Sequence, residues 1–177
     1  SKEYTTKEGI VQDLNRLSYN SALSHCRKLN LPLSSTAKVV APRLLHASQW
    51  GFIDPVDTPD GGHIGLHKHL SMGAYITSYS TSRQHMIDWL REKVAMKYLN
   101  ECTPKQINVM TKVFINGYWC GVVQEPFECV NKVKFFRRIA LISITTSITY
   151  SISENTIFIY NDIGRICRPI FYKEDKH

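Results

Sequence analysis

Three imidazoles close together in the chain, His63, His67 and His69, are the first side chains with metal-binding potential. His63 and His67 have the i, i+4 spacing that puts two zinc ligands on one face of a helix. No Glu lies between them, so the His-Glu-x-x-His pattern of metalloproteases is absent, and no third ligand stands at a defined place. A small zinc hydrolase is therefore one reading these residue types leave open. Asp54, Asp57 and Asp60 recur every third residue, but Pro55 and Pro59 break the segment, and turn or cap chemistry suits such aspartates as well as a two-metal site does. Ser24 and His25 are neighbours, and no Gly-x-Ser-x-Gly elbow, Walker loop or Gly-x-Gly-x-x-G occurs. The cysteines, Cys26, Cys102, Cys120, Cys129 and Cys167, are odd in number and widely spaced without a Cys-x-x-Cys. That disfavours a disulfide framework and a four-Cys zinc site, and points to reduced thiols in a cytosolic or nuclear compartment.

These side chains must be carried by regular elements. Ile10, Val11, Leu14, Leu17 and Ala22 predict a helix over residues 10 to 28, and Leu31-Pro32 and Ala41-Pro42 stop regular helix after it. Asn30 to Pro42 reads as an exposed loop carrying Lys38. Trp50 to Gly62, with its prolines and glycines, reads as a rigid shaped loop, followed by a short helix or strand within His63 to Tyr75. Met86, Ile87, Leu90, Val94 and Leu99 predict a helix over 83 to 100, ended by Cys102-Thr103-Pro104. Two apolar runs flank Asn116-Gly117, a strong hairpin signal, and Pro126 stands where a helix reaching about residue 139 would begin. Strands are expected at 143 to 151, 156 to 160 and 166 to 172. The fold class is α+β in two small mixed domains, a helix-and-loop domain over 1–75 and an α/β domain over 111–177, joined by a helical segment over 76–110.

The 177 residues are 43% hydrophobic and 21% charged, ordinary for a globular chain, and no apolar run is long enough to span a bilayer. The first residues lack the apolar stretch of a secretory signal, and the first is not Met, so an excised segment is expected. The formal net charge is +7. Its placement says more: no acid lies between Asp13 and Asp54, a stretch holding Arg16, Arg27, Lys28, Lys38 and Arg43, and none between Glu128 and Glu154. Such stretches favour polyanions through counterion release, or are simply solvated basic faces. A stand-alone nucleic-acid-binding module is a further reading that charge alone allows.

Order along the chain adds what charge cannot. Asn15-Arg16-Leu17-Ser18-Tyr19, Leu23-Ser24-His25-Cys26-Arg27-Lys28 and Asn30-Leu31-Pro32 resemble the "NR-SY-S-LSH-RR-N-P" run of the second-largest (beta or Rpb2-like) subunit of multisubunit DNA-directed RNA polymerases. Pro42 to Gly51 resembles the same family. Pro55-Val56-Asp57-Thr58-Pro59-Asp60-Gly61-Gly62-His63-Ile64-Gly65-Leu66 is similar to its "P-x-E-T-P-E-G-x-x-x-G-L". Val113 to Gly121 and Tyr160 to Pro169 resemble "VF-NG-W-G" and "IY-D-GR-CRP". The blocks follow the family's order, and only about 77 to 110 carries no matching motif.

The resemblance implies a fork domain beside the polymerase active site, then the first external domain. It makes Asn30 to Pro42 a loop facing DNA where the strands separate, with Arg27, Lys28, Lys38 and Arg43 on phosphates. His46 and the Pro55–Gly65 loop, with Asp57 and Asp60, would line the route of the incoming ribonucleoside triphosphate. It implies no catalytic residue and no metal ligand in this chain: Mg2+ belongs to the largest subunit, which with other polymerase subunits, the DNA template and the RNA–DNA hybrid would be its partners. No membrane is implied. Both family glutamates are aspartates here, Asp57 and Asp60, and Gly62 replaces a longer polar residue. Such divergence points to a viral or organellar enzyme, acting in nucleus or cytoplasm, or in a virion or viral factory if viral.

Overall fold

The computed structural model describes residues 11–170. In chain order the elements are α1 (Tyr19–Cys26), β1 (Lys28–Asn30), β2 (His67–His69), β3 (Tyr75–Ile76), α2 (Arg83–Val94), α3 (Pro104–Val109), β4 (Thr111–Ile115), β5 (Tyr118–Val123), α4 (Pro126–Arg138), β6 (Ser147–Ser151), β7 (Thr156–Tyr160) and β8 (Ile166–Cys167). Single 3₁₀ turns lie at Ala41–Arg43, Ala47–Gln49, Gly61–His63 and Leu99–Glu101. This is an α+β architecture. Two compact units result, one running to Tyr75 and resuming at Ile166, the other Ile76–Arg165.

The second unit is built on a four-stranded sheet of order β5-β4-β7-β6, with β4 and β7 parallel and the outer pairs antiparallel. The hairpin expected at Asn116-Gly117 is present: both residues have positive φ, 49° and 79°, as a two-residue turn matching strand twist requires. Asn116 does more than turn the chain. Its side-chain Nδ2 donates to Asn161 Oδ1 at 2.7 Å and its Oδ1 accepts the Asn161 backbone N–H at 2.9 Å, which partners a buried asparagine. Val113, Ile115, Ile157 and Ile159 from the two central strands meet Met86, Ile87 and Leu90 of α2 and Cys129 and Val133 of α4 in one core. All five cysteines are free thiols. Burial pushes Cys129 up to about 12, so it stays protonated and acts as a small apolar group.

Two helices are shorter than their periodicity predicts. The stripe over 10 to 28 yields only α1, and Ile10 lies outside the described residues. Ser18 caps α1 in a reciprocal box with Ser21, which fixes the start there. Ahead of it, Leu17 N–H donates to Asn15 Oδ1 and Asn15 N–H to His25 Nδ1, so side chains take backbone donors that a helix would need. Val11 and Leu17 are 92% and 89% exposed. With no apolar surface within reach, their spacing does not buy a helix.

The stripe over 83 to 100 ends at Val94, not at Cys102. Ala95 takes the left-handed conformation at φ 53°. Lys97 then exchanges two 3.0 Å backbone hydrogen bonds with Val122 of β5, which a continuing helix would forbid. Thr103 and Gln106 form a capping box that opens α3 at Pro104. Of the expected strand over 143 to 151, only Ser147–Ser151 is extended. Of the expected strand over 166 to 172, only Ile166–Cys167 is extended among the described residues, which continue to 170 without strand.

Gly121 is the position that admits Lys97. A Cβ there would lie 2.3 Å from the Lys97 carbonyl oxygen. Gly121→Ala is expected to destabilise the second unit by about 1–3 kcal/mol, the usual cost of overpacking. Urea unfolding of the 177-residue chain measures this, and an unchanged midpoint would refute the contact.

Candidate nucleic-acid interface

The first unit has little apolar core. Ile53, Leu66 and Ala74 are its buried apolar side chains among the described residues. A small antiparallel pair, β1 with β2, supplies its regular structure, in register Lys28–His69, Leu29–Lys68 and Asn30–His67. The rest is loop, and loops need their backbone carbonyls satisfied. Arginines do much of that work.

Arg27 Nη2 donates to the carbonyls of Ser71 and Ala74 at 2.8 and 2.7 Å. Arg168 Nη1 donates to the Gly51 carbonyl at 3.1 Å. Arg43 goes furthest. Its Nη1 reaches the Gly62 and Ile64 carbonyls at 2.7 and 3.0 Å. Its Nη2 reaches those of Ser35 and Ala37 at 3.2 and 3.4 Å, and its Nε that of Val39 at 3.2 Å. A guanidinium has five N–H groups, so every one is engaged. Gly65, at φ +70°, presses on the same residue from the backbone side, and a Cβ there would lie 2.3 Å from the Arg43 carbonyl oxygen.

The remaining predicted residues separate into cations and loop carboxylates. Lys38 is exposed in the 31–42 loop with no partner among the described residues. Lys28 lines a cleft of about 280 Å³ with Gln12, Asn15, Ser21, Ser24, His25 and His69. His25 accepts the Asn15 N–H at Nδ1, so its Nε2 is the donor to Gln12 Oε1 at 2.8 Å. His46 caps the turn at Ala47–Gln49, accepting the Ser48 N–H at 3.2 Å. Asp57 Oδ1 lies 3.3 Å from His69 Nδ1, and Asp57 Oδ2 accepts from Ser24 Oγ at 3.4 Å. Asp60 is exposed before the Gly61–His63 turn and makes no side-chain cap bond.

Arg27 and Arg43, expected on phosphates, are hydrogen-bonded to backbone carbonyls. Arg27 commits one nitrogen to two carbonyls, and Arg43 commits every N–H. The acid-free stretch supplies internal ties there, because the unit lacks apolar area to hold its loops. Thr58, which the sequence offered only as part of the Pro55–Leu66 run and with no role of its own, donates through Oγ1 to the His67 carbonyl at 2.9 Å and accepts the Gly65 N–H at 2.8 Å. Lys68 was also missed; its Nζ lies 3.4 Å from both the Leu44 carbonyl and Gln49 Oε1.

The histidines do not converge. His63 and His67 stack at 5.0 Å between centroids, while His67 Nδ1 pairs with Asn30 Oδ1 at 2.7 Å and His69 Nδ1 with the Asp57 carbonyl at 2.9 Å. Among the described residues no group of three or more His, Cys, Asp or Glu side chains is arranged to hold a metal ion. Burial first, then the positive groups Lys28, His63 and His69, hold the His67 imidazole below its ordinary range. The folded state therefore binds this proton less readily than the unfolded chain. The stability it contributes is complete above the ordinary imidazole value of about 6.5 and falls away as pH drops toward the lower folded value. His67→Gln should flatten the loss of urea stability on acidification, and parallel pH profiles for the two proteins would refute this.

Comparison with known proteins gives two family matches: RNA polymerase Rpb2, domain 3, over residues 12–76, and RNA polymerase Rpb2, domain 4, over residues 113–174. The chain is 37% identical over 175 residues to DNA-directed RNA polymerase II subunit RPB2 of Encephalitozoon cuniculi, covering 99% of this chain and 15% of that protein. It is 36% identical over 170 residues to the RPB2 subunit of Schizosaccharomyces pombe, covering 96% and 14%. It is 34% identical over 172 residues to DNA-directed RNA polymerase III subunit RPC2 of Drosophila melanogaster, covering 96% and 15%. The chain spans about one seventh of the length of these relatives.

Proposed function

The chain belongs to the Rpb2 family, the second-largest subunit of DNA-directed RNA polymerase, and from that premise we propose that it positions nucleic acid and nucleotide beside the active site of a transcribing enzyme. The enzyme is a nucleotidyltransferase that joins ribonucleoside triphosphates on a DNA template with loss of pyrophosphate. This chain contributes placement and electrostatics, and the largest subunit and other polymerase subunits are its partners.

The observation that carries this reading is the joining of two loops. Residues 35–39, which the family likeness puts at strand separation, and residues 62–64, which it puts on the nucleotide route, are tied to each other through Arg43. Lys38 projects from the first of them with its charge uncompensated. An ammonium so placed suits a phosphate of either DNA strand or of the RNA–DNA hybrid.

Mg2+, which would supply charge neutralisation for in-line displacement, finds no group of three or more His, Cys, Asp or Glu side chains arranged to hold it among the described residues. Asp54 accepts the N–H groups of Val56 and Asp57, and Asp57 is held by Ser24 and His69. On our reading the largest subunit binds the ion. The relatives reported above are eukaryotic, which lends no support to the viral or organellar source that Asp57 and Asp60 suggested. No helix among the described residues is long and apolar enough to cross a membrane, and we place the working enzyme inside the cell, in nucleus or cytoplasm.

In the intact polymerase, Lys38→Ala should make the salt dependence of DNA binding shallower by about one in log–log slope, the value for one phosphate contact. An unchanged slope would remove Lys38 from the interface. The 177-residue chain alone should make no RNA in a template-directed assay, and measurable synthesis would overturn the division of labour.

A further inference from the structure

The charge of Arg43 invites a phosphate, but its hydrogen bonds are already made. Each of its five N–H groups ends on a backbone carbonyl, Ser35, Ala37 and Val39 on one side and Gly62 and Ile64 on the other. A phosphate could be bound only by giving up one of those ties. The two loops also meet independently of the side chain: a Cβ on Gly62 would stand 3.6 Å from Ser35 Cβ, ordinary contact. Gly65, buried and at φ +70°, lies against the Arg43 backbone so closely that any side chain there must push it away.

We propose that Arg43 is a positioning residue that locks the 35–39 and 62–64 segments into one body, and that it binds no phosphate. The inference rests on the function proposed above and adds which residue sets the nucleotide-side loop. The planar fork is essential to it. Lysine offers three donors on one atom and cannot reach carbonyls on two loops in fixed directions.

The kinetic consequence follows from populations. Without the lock, the Pro55–Gly65 loop occupies its nucleotide-ready place only part of the time. Apparent affinity for the triphosphate then falls by that fraction, while saturating triphosphate draws the loop back and restores the rate. Release of the lock therefore raises KM and spares kcat. A merely structural defect would lower the amount of active enzyme and hence Vmax, without raising KM.

The test uses intact polymerase carrying Arg43→Ala, Arg43→Lys, Gly65→Ala, the Arg43→Ala/Gly65→Ala pair and Lys38→Ala. Expected are a KM for nucleoside triphosphate raised about tenfold or more in both Arg43 variants and in Gly65→Ala, a wild-type salt slope of DNA binding in Arg43→Ala, and a double variant no worse than its worse single parent. A salt slope lowered by about one in Arg43→Ala, or effects of Arg43→Ala and Gly65→Ala that multiply, would overturn the proposal. Should Arg43→Ala fail to assemble, Arg43→Lys and Gly65→Ala keep the charge, and a wild-type KM in either sinks the lock. Lys38→Ala separates the two levels. Its own slope unchanged sinks the nucleic-acid role beneath the proposal, whereas a shallower slope beside a wild-type KM in Arg43→Lys sinks the lock alone.

Discussion

The first unit depends on a guanidinium that has run out of donors. Its loops bury almost no apolar side chain, so their carbonyls need partners of another kind. Arg43 supplies them as a rigid planar fork. Hydrogen bonds from charged donors are worth roughly 1.5–3 kcal/mol each, about twice a neutral one. Several such bonds from one side chain hold a loop where hydrophobic area is missing. Arg27 and Arg168 repeat the device at Ser71, Ala74 and Gly51.

The second unit solves the same problem by burial. Its central strands bury Val113, Ile115, Ile157 and Ile159 completely, and α2 and α4 pack against them. Here polar groups are the exception, and buried Asn161 is satisfied by Asn116 and the Thr81 carbonyl. The contrast has a functional logic. A segment proposed to place nucleic acid and nucleotide has to present shaped backbone and charge, which a hydrophobic core would cover.

The aspartates that replace the family's glutamates fit this picture. Asp57 contacts His69 through both its carboxylate and its carbonyl and receives Ser24 from α1. The shorter side chain therefore serves as a local tie between α1 and β2. Asp60 keeps its carboxylate exposed, without a cap bond of its own, and so remains available to solvent or a ligand.

Local signals in the chain were enough where the physics is local. Asn116-Gly117 fixed a hairpin because both positions need positive φ, and Pro126 fixed the start of α4 because a missing N–H costs nothing there. The order of motifs also established the family. The apolar stripe at 10–28 misled because periodicity predicts a helix only where something exists to bury it, and Val11 and Leu17 face solvent. The stripe at 83–100 ran too far because Lys97 is claimed by Val122. The positive charge of Arg43 could be read directly from the sequence. Its use could not, because its acceptors are backbone carbonyls, which every residue carries and no residue type advertises. That this cation ties loops was decided by the approach of Gly62, Ile64 and Ser35 to one side chain, a matter of tertiary distance alone.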